Sequence, residues 1–406
     1  MFRTVLIAGF LALAALPARA DALTDDFRRF LEADVWPQAK AERVPRAVFE
    51  EAFSGVTPRL DLPDLNLPGR PAKVEEINRQ AEFRSGADYL SEKALAGTVN
   101  TGRAMLKRHG ALLKRIEARY GVPAPVIVAI WGRESAFGAA KIPENAFAVL
   151  GTKAWASRRK EMFRAELVAA LKIVSDGHLR VSQMRSSWAG ALGQPQFMPT
   201  KFLAVAVDFD GDGRRDIWNS VPDTLASIAN YLARAGWRKG VAWGGEARVP
   251  AAVSCSLEGP DRGRPLAEFA GAGVTRVSGE AFSARALGAS AHLMMPAGRA
   301  GPAFLVSPNF YVVKDYNNSD LYALYVLHAA DRMSGGAPLV TRFAATERLT
   351  RGDVARLQEA MQARGMDVGG ADGLAGFKTR RSIGLVEETA GRPATCWPSK
   401  GVAALL

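Results

Sequence analysis

The chain has 406 residues and a formal net charge of +12, enough length for two or more domains with sizeable cores. The positive charge is dispersed and no nucleic-acid motif occurs, so we exclude nucleic acid and expect an anionic cell-envelope polymer, although solubility alone can explain the charge. Two cysteines, Cys255 and Cys396, exclude a disulfide framework but leave a single bridge open.

The first twenty residues predict a secretory signal peptide. Arg3 supplies a positive charge, residues 5–16 form an apolar run, and residues 18–20 form a small-x-small cleavage site. That run is too short to span a bilayer, and no other segment reaches eighteen apolar residues, so we predict no membrane span. No cysteine lies at the cleavage point, so we expect no lipid anchor and an exported mature chain from about Asp21.

Helical periodicity recurs along most of the remaining chain. The segments that show it are 21–58, 101–119, 160–173, 223–235 and 320–333. Between 236 and 303, Gly and Pro separate short apolar runs, which predicts a β-containing segment within a helical body. After Leu349, two short amphipathic stretches predict a small helical unit at the end of the chain.

Glu134 is the one carboxylate between Tyr120 and Gly138, a stretch otherwise rich in apolar and small residues. Val126, Ile127 and their neighbours recur at helical spacing and predict a buried helix. Burial raises a carboxyl pKa, as a proton donor working near neutral pH requires. The alternative is a Glu at a helix end, paired with Arg133 or turned to solvent, and these residues alone leave the two interpretations about equal.

The second motif is a glycine-rich loop at residues 187–199, SWAGALGQPQFMP. Small residues allow backbones to approach closely, and Gln196 can both donate and accept hydrogen bonds. Trp188 and Phe197 offer flat apolar faces on which sugar rings stack. The alternative, with about equal weight, is a packing loop with its aromatic side chains in the core.

Asp208, Asp210 and Asp212 have the spacing of the first half of an EF-hand loop, with glycine at the sixth position. Asn219 replaces the usual twelfth-position Glu, so the closing ligand must come from elsewhere, and Asp223 is the candidate. We favour a structural Ca²⁺ site over an acidic surface turn, because three crowded carboxylates are costly without a cation.

The fourth motif covers residues 309–319 and leads to Tyr322. Its Tyr and Asn side chains combine stacking surface with hydrogen-bonding groups. The alternative is a strand-to-helix turn capped by Asn317 or Ser319. No GxxxxGK[ST], HExxH, CxxC or GxSxG motif occurs, and we interpret the four scattered histidines as structural.

With these motifs in order, the sequence resembles the lytic murein transglycosylase B family over nearly the whole mature chain. The segments that carry the resemblance are IWGRESAFG, SSWAGALGQPQFMP, AVDFDGDGRRDIW and NFYVVKDYNNSDLYAL. It implies a mainly α (α+β) fold, with a lysozyme-like helical catalytic core at 21–345 and a small β insertion at about 236–303. It also implies a three-helix peptidoglycan-binding domain at 346–406, although residues 384–386, GLV, replace that domain's usual polar residues.

The resemblance further implies periplasmic, non-hydrolytic cleavage of the β-1,4 bond between N-acetylmuramic acid and N-acetylglucosamine in peptidoglycan, leaving a 1,6-anhydro end. By motif position, Glu134 is the catalytic acid and then the base. The residues implied to line the sugar cleft are Tyr89, Ser187, Gln196, Tyr316, Asn317 and Tyr322. Those implied to bind structural Ca²⁺ are Asp208, Asp210, Asp212, Arg214 through its carbonyl, and Asp223. No organic cofactor is expected.

The number of carboxylates separates this hypothesis from its alternatives. Ordinary glycosidases use two, whereas the cleft-like segments here offer only Glu134. A single carboxyl suffices if the C6 hydroxyl of the sugar replaces water as the nucleophile. A lysozyme-type hydrolase on the same fold, a non-catalytic peptidoglycan-binding protein and a calcium-responsive sensor stay open as alternatives.

Overall fold

The computed structural model describes residues 15–68 and 85–406. Helices dominate and the sheets are small, so the predicted mainly α fold class is confirmed. The described residues divide into two compact units: unit one comprises 15–68 with 138–227, and unit two comprises 85–137 with 228–406. Within the described ranges, no helix is long and apolar enough to cross a membrane. Most of the predicted signal peptide lies outside the described residues, so export stays a prediction.

Unit one is built around an apolar helix. Its α-helices are Ala15–Phe30, Trp36–Ala41, Arg46–Phe53, Ala146–Ala156, Lys160–Ser175, Pro199–Val205 and the first half of Val221–Arg234, and a π-helix spans Leu31–Val35. Every residue of Ala146–Ala156 is buried, as expected of a helix that is apolar on all sides. Asn145 caps it by accepting the N–H groups of Phe147 and Ala148. The short strands Glu144–Asn145 and Arg185–Ser186 pair antiparallel.

Unit two combines a helical bundle with a sheet. Its α-helices are Gly86–Tyr89, Glu92–Arg108, Gly110–Tyr120, Ala124–Ser135, the second half of Val221–Arg234, Leu266–Gly271, Ala284–Leu287, Pro308–Asn317, Asp320–Met333, Arg351–Gln362, Phe377–Thr389 and Lys400–Ala403. Three of them, Glu92–Arg108, Ala124–Ser135 and Asp320–Met333, pack against one another. This packing buries the apolar stretch before Glu134.

The sheet of unit two is five-stranded. Its order is Arg264–Pro265, Ser290–Met294, Ala303–Val306, Gly244–Arg248 and Thr275–Arg276, with all neighbours antiparallel. A further short strand, Pro296–Arg299, precedes Ala303–Val306 in the chain. The sequence predicts β structure over 236–303, and the strands lie between 244 and 306.

A disulfide joins Cys255 to Cys396, settling a pairing that the sequence leaves open. It links the β-containing segment to residues 346–406, which we call the C-terminal segment. A Cβ atom on Gly384 would lie 2.4 Å from the Cys396 sulfur, and Val386 is buried, so two of the three residues that depart from the family pattern pack inside the protein.

The C-terminal segment contains three helices and an apolar cluster of its own. The buried residues of this cluster are Leu357, Met361, Val368, Ile383, Val386 and Val402. The segment belongs to unit two in the contact division. Its identity as a separate peptidoglycan-binding domain stays a prediction.

Candidate active site

Glu134 is the penultimate residue of the helix Ala124–Ser135. Residues 126–132 of that helix are all buried, as the apolar periodicity predicts, whereas Glu134 is half-buried. The carboxylate therefore stands where a buried helix ends and keeps partial access to solvent.

The helix ends in an uncommon backbone turn. Ala136 and Phe137 adopt left-handed φ angles of 49° and 61°, which costs about 1–3 kcal/mol for each non-glycine residue. The turn folds the Phe137 ring back against Trp131 at 5.5 Å between centroids and over Gly132, where a Cβ atom would lie 2.4 Å from that ring. The motif WGRESAF thus encodes a strained helix end packed directly beside Glu134.

Tyr322 donates a hydrogen bond from its hydroxyl to Glu134 Oε1. Its side chain is 1% exposed, and burial together with the negative charge of Glu134 raises the pKa of its phenol well above the ordinary range. Tyr316 stacks on Tyr322, with centroids 6.2 Å apart and planes 15° apart, and its pKa is raised by the same two causes. Both phenols therefore stay protonated, and Tyr322 is a permanent donor to the carboxylate.

The two tyrosines come together because one short turn joins their helices. Asn318 takes a left-handed φ of 48° after the helix Pro308–Asn317. Ser319 then caps the next helix by accepting the N–H of Tyr322 at 3.2 Å. Ser319 is one of the two capping residues named in the alternative interpretation of this motif, but the turn joins two helices and not a strand and a helix.

Tyr89 contacts Arg133, the residue that precedes Glu134 in the chain. Its ring is 5.3 Å from that of Tyr325, and the Arg133 guanidinium lies over both rings at 4.9 and 5.1 Å. Tyr89 also adds to the raised pKa of Tyr322, after burial, Glu134 and Tyr316. Four of the predicted residues, Glu134, Tyr89, Tyr316 and Tyr322, are thus brought together within unit two, and Asn317 directly follows Tyr316 at the helix end.

Ser187 and Gln196 lie in unit one, near the ends of the glycine-rich loop. Ser187 Oγ accepts the N–H groups of Ala189 and Ala191 at 3.3 and 3.2 Å. Gln196 has a left-handed φ of 53°, and its Nε2 donates to the Gly193 carbonyl at 2.8 Å. Both side chains therefore shape the loop itself, and any sugar contact by them stays a prediction.

Of the two aromatic residues of the same loop, one fits the interpretation as core packing and the other fits the interpretation as a sugar-stacking surface. Phe197 is 3% exposed, so it belongs to the core, whereas Trp188 is 48% exposed and has the Lys153 ammonium 5.2 Å from its ring. Gly193 has a φ of 62°, and a Cβ atom there would lie 2.7 Å from the carbonyl oxygen of Ile217. The glycine is thus required by a close backbone approach.

The acidic loop of unit one brings three carboxylates together. Asp208, Asp210 and Asp212 can each offer an oxygen within 4.8 Å of the others. The two Asp208 oxygens accept the N–H groups of Gly211 and Gly213 at 2.7 and 2.9 Å. These hydrogen bonds hold the backbone of the loop in a curve around the Asp208 carboxylate. Converging, largely exposed carboxylate oxygens fit a hard divalent cation such as Ca²⁺.

Asp223 supports the acidic loop through hydrogen bonds to its backbone. It is fully buried, and its two oxygens accept the N–H groups of Phe209 and Asp216 at 2.7 and 2.8 Å. It is not among the three carboxylates that converge, so its role as a metal ligand stays a prediction. The Arg214 N–H donates to Asp212 at 2.8 Å, and its carbonyl likewise stays a predicted ligand.

Comparison with protein families decides where the chain belongs. A family described as "Transglycosylase SLT domain" matches residues 26–331, more than half of the chain. The chain belongs to this family. The family resemblance stated from the sequence motifs is thereby confirmed.

Similar proteins support the same assignment. Membrane-bound lytic murein transglycosylase B of Escherichia coli K12 is 31% identical over 247 residues, which cover 59% of this chain and 64% of that protein. The crystal structure of SltB3 from Pseudomonas aeruginosa with NAG-anhNAM-pentapeptide is 39% identical, with a TM-score of 0.81, and the match covers 95% of this chain and 98% of that one. SltB3 with NAG-NAM-pentapeptide matches at 38% identity and a TM-score of 0.79, over 95% and 99% of the two chains. These matches confirm the predicted fold class.

Two side chains near the SLT-family motifs, Tyr231 and Gln194, were not predicted from the sequence as site residues. Tyr231 packs on Tyr316 at 4.8 Å and donates to Asp315 Oδ2 at 2.9 Å. Gln194 is buried, donates from Nε2 to the Trp218 carbonyl at 2.9 Å and lies where a side chain on Gly138 would be. Gln194 stands in a quoted motif and could have been found there, whereas Tyr231 lies on an ordinary amphipathic helix without a local signal.

Proposed function

We propose that the protein is a peptidoglycan lytic transglycosylase. It cleaves the β-1,4 bond between N-acetylmuramic acid and N-acetylglucosamine without water and leaves a 1,6-anhydro end. The observation that carries this proposal is Glu134, a half-buried carboxylate at the end of a buried helix that accepts a hydrogen bond from the buried Tyr322. Family membership and the two SltB3 complexes, one of them with NAG-anhNAM-pentapeptide, support it.

In the first step Glu134 acts as the acid. Because the Tyr322 hydroxyl donates to Oε1, the carboxyl proton is favoured on Oε2. That proton passes to the glycosidic oxygen as the bond to C1 of N-acetylmuramic acid breaks, and the leaving N-acetylglucosamine takes the bonding electrons. The N-acetyl oxygen of the substrate stabilises the positive charge left at C1.

In the second step the same carboxylate acts as the base. It takes the proton of the C6 hydroxyl while O6 attacks C1, which closes the 1,6-anhydro ring and returns Glu134 to its protonated form. The hydrogen bond from Tyr322 stabilises the charged carboxylate between the two steps. One carboxylate therefore completes the cycle, and no water is consumed.

The sugar-binding part of the proposal rests on aromatic and polar side chains. The residues assigned to substrate binding are Tyr89, Ser187, Gln196, Tyr316, Asn317 and Tyr322. Support for the tyrosines comes from the stacked pair beside Glu134. Ser187 and Gln196 are assigned by motif position alone.

We also propose a structural Ca²⁺ in the acidic loop. Asp208, Asp210 and Asp212 would hold it with the Arg214 carbonyl, because their oxygens converge and are accessible. When bound, the cation offsets the mutual repulsion of these carboxylates. No step of the reaction passes through this site. The Asp223 carboxylate fixes the loop by accepting the backbone N–H groups of Phe209 and Asp216.

The remaining parts of the proposal concern location and organisation. Residues 1–20 are proposed as the signal peptide of a periplasmic protein, followed by a catalytic domain at 21–345 and a peptidoglycan-binding domain at 346–406. Glycan strands are the proposed partner, in keeping with the net charge of +12.

Digestion of purified peptidoglycan tests the proposed activity. Mass spectrometry of the released fragments should show 1,6-anhydro ends. Reducing ends without anhydro ends would identify a hydrolase instead. Binding to cell walls without any released fragment would identify a non-catalytic binding protein.

A further inference from the structure

The strongest feature outside the proposed active site is a buried charge cluster within unit two. Arg380 donates to both Glu258 oxygens at 2.9 and 2.5 Å and to Asp320 Oδ2 at 3.0 Å. The Lys314 ammonium lies 2.7 Å from Asp320 Oδ1. The Glu258 and Arg380 side chains are only 1% and 4% exposed. Two cations and two carboxylates thus balance in formal charge inside the protein.

Three distant parts of the chain supply this cluster. Glu258 belongs to the β-containing segment, and Arg380 belongs to the C-terminal segment. Lys314 and Asp320 lie on the two consecutive helices that carry the stacked tyrosines. The cluster therefore ties the C-terminal segment to the turn between those helices.

The connection from this turn to the active site is short. Asp320 is the first residue of its helix and precedes Tyr322 by two residues, and Lys314 precedes Tyr316 by two. Tyr322 in turn donates to Glu134. A misplacement of about 1 Å in a catalytic site can cost about a hundredfold in rate. Ion pairs that fix the turn therefore bear directly on the position of the Tyr322 hydroxyl.

We propose that Arg380 is a positioning residue for the active site, which acts through Asp320 to hold the turn that directs Tyr322 at Glu134. The catalytic consequence of this inference rests on the proposed function. The C-terminal segment is then part of the catalytic architecture and not solely a glycan-binding module.

The neighbouring Arg381 provides a matched control. It pairs with Asp261 at 2.8 Å, so it ties the same helix of the C-terminal segment to the same β-containing segment. Its ion pair leads to Asp261 instead of to the turn beside Tyr322. Both Arg381→Lys and Arg380→Lys keep the positive charge but lose the geometry of the guanidinium ion pair. Only Arg380→Lys should disturb the turn that precedes Tyr322.

Steady-state kinetics on folded protein test the proposal. Arg380→Lys and Asp320→Asn should lower kcat about 10- to 100-fold with little change in KM and should alter the pH profile of kcat, whereas Arg381→Lys should match the wild type. Asp320→Asn leaves the Glu258–Arg380 pair in place, which guards against simple unfolding. A folded Asp320→Asn variant with wild-type kcat and pH profile would overturn the inference.

A spectroscopic readout separates this inference from the proposed function. With carbon-labelled tyrosine and Tyr322→Phe to assign the signal, the Tyr322 ring resonance should shift in Asp320→Asn and Arg380→Lys and stay in place in Arg381→Lys. If the wild type released no anhydro product, the proposed function would fail, yet the ring resonance would still decide the positioning role. An unshifted resonance in both test variants would reject that role while leaving the activity intact.

Discussion

Glu134 and the acidic loop use the same functional group in opposite surroundings. Glu134 is a half-buried carboxylate beside buried tyrosines, and the phenol of Tyr322 donates a hydrogen bond to it. Asp208, Asp210 and Asp212 crowd three carboxylates into a largely exposed loop whose own N–H groups point at them. One environment suits a carboxyl that gains and loses a proton, and the other suits carboxylates that stay charged around a cation. The surroundings of a carboxylate, more than its residue type, therefore determine whether it suits catalysis or structural metal binding.

Glu134→Gln should produce the largest effect. Removing the proposed acid and base should lower kcat by about 10²- to 10⁴-fold or more, because no other group takes over both proton transfers. Circular dichroism and the melting temperature should stay near those of the wild type. The assay is release of anhydro fragments from peptidoglycan.

Asp315→Asn is the matched control for that variant. Asp315 accepts a hydrogen bond from Tyr231, which packs on Tyr316, so it is a second carboxylate near the tyrosines. We expect nearly full activity after its loss. An equal loss in both variants would point to a two-carboxylate mechanism.

Tyr322→Phe should have the next largest effect. It removes a hydrogen bond to a charged group, worth about 1.5–3 kcal/mol, so kcat should fall about 10- to 100-fold. Tyr325→Phe, on the same helix, removes a hydroxyl that bonds Thr98 at 2.8 Å and should leave kcat nearly unchanged. Equal rates for the two variants would contradict the assignment of Tyr322 as the donor to Glu134.

Calcium removal should act on stability instead of on chemistry. A cation that binds only the folded state adds about 2.7 kcal/mol at a free concentration of a hundred times its Kd. Chelation should therefore lower the melting temperature by several degrees, with activity retained below the transition. Asp208→Asn/Asp212→Asn should abolish this response, whereas Asp176→Asn, outside the loop, should preserve it. A melting temperature that ignores both chelator and added Ca²⁺ would reject the metal site.

The smallest predicted effect is a loss of stability in mild acid. Burial lowers the pKa of His328, and the nearby Arg332 lowers it further, while Glu92 and Glu246 oppose this shift. The unfolded state, with a His pKa of about 6.5, then binds a proton that the folded state does not bind, so stability falls as the pH drops below about 6.5. His328→Gln should weaken the dependence of the melting temperature on pH between pH 7 and pH 5, to which His109, His178 and His292 also contribute because burial lowers their pKa values. A slope identical to that of the wild type would show that His328 does not contribute.

The sequence predicts local features of this protein well and long-range ones poorly. The buried helix before Glu134 follows from apolar periodicity, and the carboxylate spacing predicts the convergence of Asp208, Asp210 and Asp212. The left-handed Ala136 and Phe137 could not be predicted, because neither residue type favours that conformation and tertiary packing imposes it.

The long-range contacts have a common physical reason for escaping prediction. The Cys255–Cys396 bridge joins residues 141 positions apart, and Glu258, Asp320 and Arg380 are likewise distant in the chain. Each of these residues is ordinary in its local pattern, and only the fold brings them together. The sequence therefore predicts a small helical unit at the end of the chain, but not the buried ion pairs and the disulfide that join this unit to the rest of unit two.

The central claim, that Glu134 works alone as acid and then as base, is tested most directly by digesting peptidoglycan in isotopically labelled water. Because the C6 hydroxyl of the sugar replaces water as the nucleophile, the new ends should be anhydro sugars without heavy oxygen. Glu134→Gln should release almost none of them. Products that carry one labelled oxygen at the cleaved C1 would show that water is the nucleophile and would contradict the account.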